Sequence, residues 1–265
     1  MSFYVDVHTH LTHELFETDW QQVIERAKDA GLGAIVVNGL EPVSNRKILD
    51  WAIQFGIVKP ALGIYPLDSI NGILPRDFPY EIAKFDVDDE ISFIRDMAKS
   101  GRLAAIGECG LDQYYLGPDY LPPQERVFEQ LIDIAVTYDL PLIIHTRKAE
   151  VRAGEILAHM NAKKVNFHCF GGRTSLAKKY SEVDGWWFSI PANCSVNEAF
   201  QKMLKILPLD KILTETDAPY LPPKKGDRNE PSNVVGTVAM LAKFRNITES
   251  EARDQVYRNY LDLFA

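Results

Sequence analysis

Short apolar runs alternate with longer amphipathic stretches along the whole chain. The strand-like runs lie at residues 3–7, 33–37, 58–62, 103–106, 142–144, 165–167, 186–190 and 212–213. Between them, residues 20–30, 43–55, 91–99, 124–138 and 195–207 carry helical spacing. Asp19 ahead of the first of these and Pro122-Pro123 ahead of the fourth are starting signals. Strands separated by helices imply parallel β-α units, whose strands are covered on both faces and so read as uninterrupted apolar runs. Eight such strands predict an α/β fold, a (β/α)8 TIM barrel, with a doubly wound open sheet as its rival. The glycines carry no G-x-G-x-x-G after an early strand and no phosphate-loop sequence, which removes the usual nucleotide-binding signatures. Residues 231–244 supply a last barrel helix and residues 250–264 a C-terminal one. No linker, repeat or low-complexity segment divides the chain, so residues 1–265 are expected to form a single domain.

Composition changes this picture little. Hydrophobic residues make up 46% and charged residues 25%, ordinary for a globular protein. The net charge is −8, so the chain as a whole attracts neither nucleic acid nor an anionic membrane. A polyanionic substrate would therefore need a local basic patch or bound cations. Cys109, Cys169 and Cys194 are too few and scattered for a disulfide framework. The N-terminal residues read as an opening strand rather than a signal peptide. No apolar run reaches the roughly 20 residues that span a bilayer. These features lead to the expectation of a cytoplasmic protein, without membrane association and without an obligate protein partner.

The chemistry is concentrated where the strands end. The first run leads into Asp6-Val7-His8-Thr9-His10, the fourth into Gly107-Glu108, the fifth into His145, the sixth into His168 and the eighth into Glu215-Thr216-Asp217. In a (β/α)8 barrel the C-terminal strand ends form the mouth of the active site, so these residues converge on one rim. Side chains alternate along a strand, and His8 and His10 therefore point the same way. Imidazole with carboxylate suits zinc, manganese, iron or magnesium-assisted chemistry. Strand order groups His8, His10, Glu108 and Asp217 near one ion and His145, His168 and Glu108 near a second, with Glu108 bridging. Such a centre would lower the pKa of a bound water. A lone histidine after an apolar run is usually a packing residue, but four of the six histidines sit at such ends beside two carboxylates. His13 and His159 lack that setting and read as surface residues. Asp6 lies deeper, open to ligation, to support of a ligand or to a structural role. Cys109 and Cys169 each follow a proposed ligand, so alternation turns them away from the centre as buried thiols.

The ordered motifs resemble the TatD family of metal-dependent deoxyribonucleases, within the amidohydrolase-like barrels. The matching segments are Asp6-Val7-His8-Thr9-His10-Leu11, Gly107-Glu108-Cys109-Gly110-Leu111-Asp112, Ile144-His145-Thr146-Arg147, His168-Cys169-Phe170-Gly171-Gly172 and Glu215-Thr216-Asp217-Ala218-Pro219-Tyr220-Leu221. Arg228-Asn229-Glu230-Pro231 and Asn259-Tyr260 extend the match towards the C-terminus. The resemblance implies two divalent metal ions (Zn, Mn or Mg), held by His8, His10 and Asp217 on one side and His145 and His168 on the other, with Glu108 shared. It also implies cleavage of phosphodiester bonds in DNA, in the manner of a 3′-5′ exonuclease. Asp217 and Glu108 then become the catalytic carboxylates, Asp217 orienting the attacking water. Arg147 reads either as a phosphate contact or as a loop ion pair.

One segment departs from the family pattern. Where the family carries histidines after strand three, this chain reads Gly63-Ile64-Tyr65-Pro66-Leu67-Asp68. Tyr65 can hydrogen-bond a phosphate or leaving group, but Leu67 has no polar function. Residues 69–89, with Pro75 and Pro79, are expected to loop over the mouth. Two other readings follow: the same centre acting on a small ester, amide, lactone or phosphate, and a barrel that binds metal without catalysis.

Overall fold

The eight apolar runs are the eight strands of one sheet. The computed structural model describes residues 2–265. Its strands are β1 (Tyr4–Thr9), β2 (Leu32–Asn38), β3 (Val58–Leu62), β4 (Ala105–Asp112), β5 (Leu142–Arg147), β6 (Val165–His168), β7 (Trp186–Pro191) and β8 (Ile212–Glu215). They are hydrogen-bonded in chain order, every neighbouring pair parallel. The last strand comes back beside the first: the Thr214 hydroxyl donates to Val5 O at 2.6 Å, and Asp217 N–H donates to His8 O at 2.9 Å. The result is a nearly closed (β/α)8 barrel, as the alternation predicts.

The outer layer is α1 (Trp20–Asp29), α2 (Pro42–Gln54), α3 (Val87–Lys99), α4 (Leu121–Thr137), α5 (Glu150–His159), α6 (Thr174–Ser181), α7 (Glu198–Ile206) and α8 (Val234–Arg245), with α9 (Glu249–Phe264) closing the chain. Helix α3 starts earlier than its apolar spacing suggests, because the Asp86 carboxylate caps the N–H groups of Asp88 and Asp89. Pro122 and Pro123 fall inside the first turn of α4, where a missing N–H loses no helical bond. Spacing did not single out α5 or α6. Helix α5 carries Gly154, a poor helix former, at a position where a Cβ would lie 2.1 Å from the Tyr180 hydroxyl of α6. Packing between the two helices outweighs local propensity there.

Two strands end elsewhere than the apolar runs suggest. Strand β4 continues through Glu108 to Asp112, whereas β8 stops at Glu215. Gly110 makes the extension possible: its φ is +142°, and a Cβ there would lie 2.1 Å from His145 O on β5. Gly110→Ala is expected to destabilise the protein by about 3 kcal/mol, since neither backbone can yield without disturbing the β4–β5 ladder. Denaturant titration reads this directly, and a shift below about 1 kcal/mol would show that the ladder accommodates the methyl group.

Beneath β6 and β7, Phe167 packs at 5.3 Å from both Trp186 and Phe188, fixing the strand that ends in His168. Aromatic pairs of this kind add about 0.5–1.5 kcal/mol beyond their buried area. At the opposite end of the barrel, Asn259 of α9 is buried and its amide donates to Leu209 O and Ile212 O, anchoring the start of β8.

Candidate metal centre

Strand β1 delivers His8 and His10 side by side, their Nε2 atoms 3.0 Å apart. Glu108 Oε2 lies 3.5 Å from His8 Nε2 and 3.2 Å from His10 Nε2. Asp217 Oδ1 completes the group at 3.5 and 3.4 Å from the same two nitrogens. Donors about 2.1 Å from a common ion are about 3.4 Å apart in a tetrahedron and about 3.0 Å in an octahedron. The observed edges match those spacings, so His8, His10 and Glu108 form a set that could hold a divalent ion, with Asp217 within the same reach of both histidines. On the other side, Glu108 Oε1 lies 2.9 Å from His145 Nδ1 and 3.0 Å from His168 Nε2. These three side chains form a second buried set that could hold a metal. The structure brings together all six residues singled out from the strand ends, with the two oxygens of Glu108 facing different histidine pairs.

The residues behind the histidines set their orientation. His145 Nε2 lies 3.0 Å from Asp112 Oδ2, so a proton held there leaves the Nδ1 lone pair towards Glu108. His10 Nδ1 lies 3.3 Å from the carbonyl of Asn38, whereas His168 Nδ1, 3.7 Å from Glu215 Oε2, has no hydrogen-bond partner among the described residues. Glu215 is itself fixed by the Ser189 hydroxyl at 2.5 Å and Cys169 N–H at 2.7 Å. Asp6 is a brace: fully buried, it accepts from Thr216 Oγ1 at 2.5 Å and Thr216 N at 2.9 Å, tying β1 to the segment that carries Asp217. Burial pushes its carboxyl up to about 7 despite these bonds.

Asp112 supports His145 in this way and Glu215 lies beside His168, yet the run-end pattern points to neither. Within β4 parity holds the signal, since Asp112 lies on the face of Glu108, but Glu215 ends β8 and has no such partner within its strand. Asp217 lies beyond β8 with φ +56°, its N–H on His8 O. Asn229 pins that loop by donating to Thr216 O at 2.8 Å and Tyr220 O at 2.7 Å. The neighbouring Arg228 and Glu230 bind Asp19 and Arg26 of the α1 region, which explains the Arg228–Pro231 motif. Asp19 therefore spends its carboxylate on the arginines rather than on capping α1.

The charges interlock. Burial would lower His10 and His145, but hydrogen bonds outweigh it, from Asp217 and Glu108 for the first and from Asp112 and Glu108 for the second, and both are pushed up to about 9. His168, stacked on His8 at 3.7 Å, goes the other way, to about 4, through burial and the His8 charge. Burial opposes ionisation of Asp217, yet hydrogen bonds from His10 and His8 hold it well below the usual carboxylate range.

The cluster opens into a cavity of about 1100 Å³. Tyr65 reaches it half-buried, its hydroxyl 3.3 Å from Asp112 Oδ2 and 3.5 Å from His145 Nε2. Burial, with Glu108 and Asp112 nearby, pushes the phenol far up, so it keeps its proton. Leu67 packs with Ile70 and Leu116 in a small apolar cluster under the 69–89 segment, a structural use for a position without polar function. Arg147 stands over the Tyr114 ring at 4.0 Å, with its nearest carboxylate, Asp112, also at 4.0 Å.

Two expectations need correction. His13 is half-buried rather than a free surface residue: it lines the cavity, stacks edge-on with Tyr220 at 5.5 Å and accepts from Leu15 N–H at 3.1 Å. Cys169 also lines the cavity, because β6 ends at His168 and a φ of +42° turns the next residue out of strand alternation. Cys109, inside β4, is buried and faces away from the cavity, and His159 is exposed.

A (β/α)8 barrel with this histidine–carboxylate cluster on its C-terminal rim is a metal-dependent hydrolase. The chain belongs to the family of TatD-related DNases, whose family model matches residues 5–265. It is 33% identical over 264 residues to human deoxyribonuclease TATDN3, covering 98% of this chain and 94% of that protein. It is 29% identical over 266 residues to the metal-dependent hydrolase YabD of Bacillus subtilis, covering 98% of each. Among solved structures, YJJV, a TatD homolog from Escherichia coli, superposes with a TM-score of 0.84 at 24% identity, covering 98% of this chain and 97% of the other. Among the described residues, no helix is long and apolar enough to cross a membrane.

Proposed function

We propose that the protein is a binuclear metal-dependent deoxyribonuclease that removes nucleotides from single-stranded DNA, acting from the 3′ end. The observation that carries this reading is Glu108, whose two oxygens face two separate histidine pairs. His8, His10 and Asp217 would hold one ion, His145 and His168 the other, and Glu108 both, with zinc, manganese or magnesium as the metal. When bound, the ions supply Lewis acidity and lower the pKa of the attacking water. Asp217 orients that water and takes its proton. Arg147, oriented by Tyr114, binds the phosphate oxygens, and the Tyr65 hydroxyl joins it by turning its one proton from Asp112 Oδ2 to the phosphate. The human relative's name, deoxyribonuclease, supports DNA as the substrate.

A strong chelator is expected to abolish nucleotide release from single-stranded DNA, and added metal to restore it. Reloading should strengthen with pH. His10 and His145, raised from 6.5 to about 9, hold protons in the metal-free protein that a metal must displace. Their paired protons stabilise the metal-free fold fully below the unfolded value of 6.5, a contribution lost as pH climbs through 9. The rise in melting temperature on metal addition should therefore be larger at pH 9 than at pH 6.5. An active preparation indifferent to chelator overturns the proposal. Turnover of small esters without DNA cleavage, at matched metal loading, transfers the centre to a small substrate.

A further inference from the structure

The rim of the cavity carries an aromatic feature that the metal chemistry does not use. Tyr114 and Tyr115 leave β4 just after Asp112, whose Oδ1 accepts the Tyr114 N–H at 2.7 Å. Phe78 and Tyr80 approach from the segment ahead of α3. The rings meet edge to face: Tyr114 to Tyr115 at 4.8 Å, Tyr115 to Tyr80 at 5.2 Å, and Tyr80 to Phe78 at 5.8 Å. The hydroxyls of Tyr80 and Tyr115 are 2.9 Å apart. The inner members, Phe78 and Tyr115, rest on the Leu67, Ile70 and Leu116 cluster. The outer members stay open, Tyr80 at 53% and Tyr114 at 49% exposure.

Packing accounts for the inner rings but not for the outer two, which stay half-exposed beside the cavity. The cations reinforce the point. In a protein of net charge −8, Arg147 lies 4.0 Å and Lys148 4.8 Å over the same Tyr114 ring. A guanidinium plane held on an aromatic ring is a stacking surface for a base, and its free edge is a phosphate donor. Exposed aromatics alternating with cations beside a groove are what binds a single strand without reading its sequence. A duplex hides its base faces and can use only the cations.

We propose that Tyr80 and the Arg147–Tyr114 stack form a track for successive bases of a single-stranded DNA substrate, extending from the metal centre along the rim. The track rests on the nuclease reading for its ligand, but its binding is measured without hydrolysis. Asp112 joins the two parts, orienting His145 through one oxygen and starting the Tyr114 turn through the other.

The test uses the full-length, metal-loaded protein and hydrolysis-resistant phosphorothioate oligodeoxynucleotides of two to six residues, with Kd read by fluorescence anisotropy. Affinity should rise with length in the parent, and Tyr80→Ala should weaken the longer oligonucleotides about tenfold, the scale of one lost base stack. Tyr80→Phe keeps the ring and loses only the hydroxyl contact, so it should retain the length dependence. An oligonucleotide with abasic sites should bind the parent as the intact one binds Tyr80→Ala, and a duplex should bind more weakly than either of its strands. Equal affinity of intact and abasic strands, or Tyr80→Ala binding like the parent, overturns the track. Length-dependent binding without nucleotide release would leave the track and remove the nuclease. Nucleotide release with no dependence on length or on these rings would do the reverse.

Discussion

Glu108→Gln is expected to lower kcat/KM on single-stranded DNA by about a thousandfold or more, with the fold retained. The size follows from sharing: the carboxylate faces both histidine pairs, at 3.2 Å from His10 and 2.9 Å from His145. An amide of the same shape keeps one neutral oxygen and places an NH2 against a ligand pair. On the proposed two-ion reading, metal assistance worth several kcal/mol is lost from both sides at once, and each 1.36 kcal/mol is a factor of ten. Metal content by elemental analysis should fall with the rate. A second signature separates this from misfolding. Glu108 is one of the partners that raise His10 and His145 to about 9 against burial, so in the metal-free variant both imidazoles should titrate lower by NMR. Full turnover with full metal content would show that Glu108 bridges nothing.

The sequence exposes the donors more readily than their supports. His8, His10, Glu108, His145 and His168 lie at or just beyond the ends of apolar runs, and in a parallel barrel such a position fixes a side chain at the rim. Direct hydrophobic periodicity was enough to find them. Asp112 and Glu215 needed a different reading, because their work is done through another residue and depends on where the strand really ends. The apolar run of β4 stops at Ile106, yet pairing with β5 carries the strand on to Asp112, and only Gly110 hints at it. Asp217 shows the converse. The sequence places it at a strand end, but its position comes from a left-handed turn and from the distant Asn229, an interaction that spacing cannot encode.

The same physics explains why His13 and Cys169 face the cavity against the expectation from sequence. Both lie outside strands, where alternation has no authority: one caps a short helical turn, and the other follows β6 with positive φ. The Tyr65/Leu67 departure becomes intelligible only with the 69–89 segment in place. Leu67 belongs to the small apolar cluster on which Phe78 and Tyr115 pack, so the loop after β3 and the aromatic rim share one support.

Asp217→Asn should separate proton transfer from metal holding. The variant is expected to lose about a thousandfold in kcat, within the range of a removed general base, while keeping much of its metal. An asparagine oxygen can still face His8 and His10, which lie 3.5 and 3.4 Å from Asp217 Oδ1, but the amide cannot accept the proton of the attacking water. The pH profile carries the decision. In the metal-free protein, hydrogen bonds from His10 and His8 hold the Asp217 carboxyl well below its usual range despite burial, and in the loaded parent a bound cation in place of those protons would keep it ionised throughout the neutral region. Its contribution is lost only when acid protonates it, well under the pH at which the histidines gain protons. Without that base the reaction depends on hydroxide from solvent, so the log of the variant's kcat should climb with pH at a slope near one where the parent is level. A variant with the parent's level profile and only a weakened metal would assign Asp217 to holding the ion alone, leaving proton removal to another group at the rim.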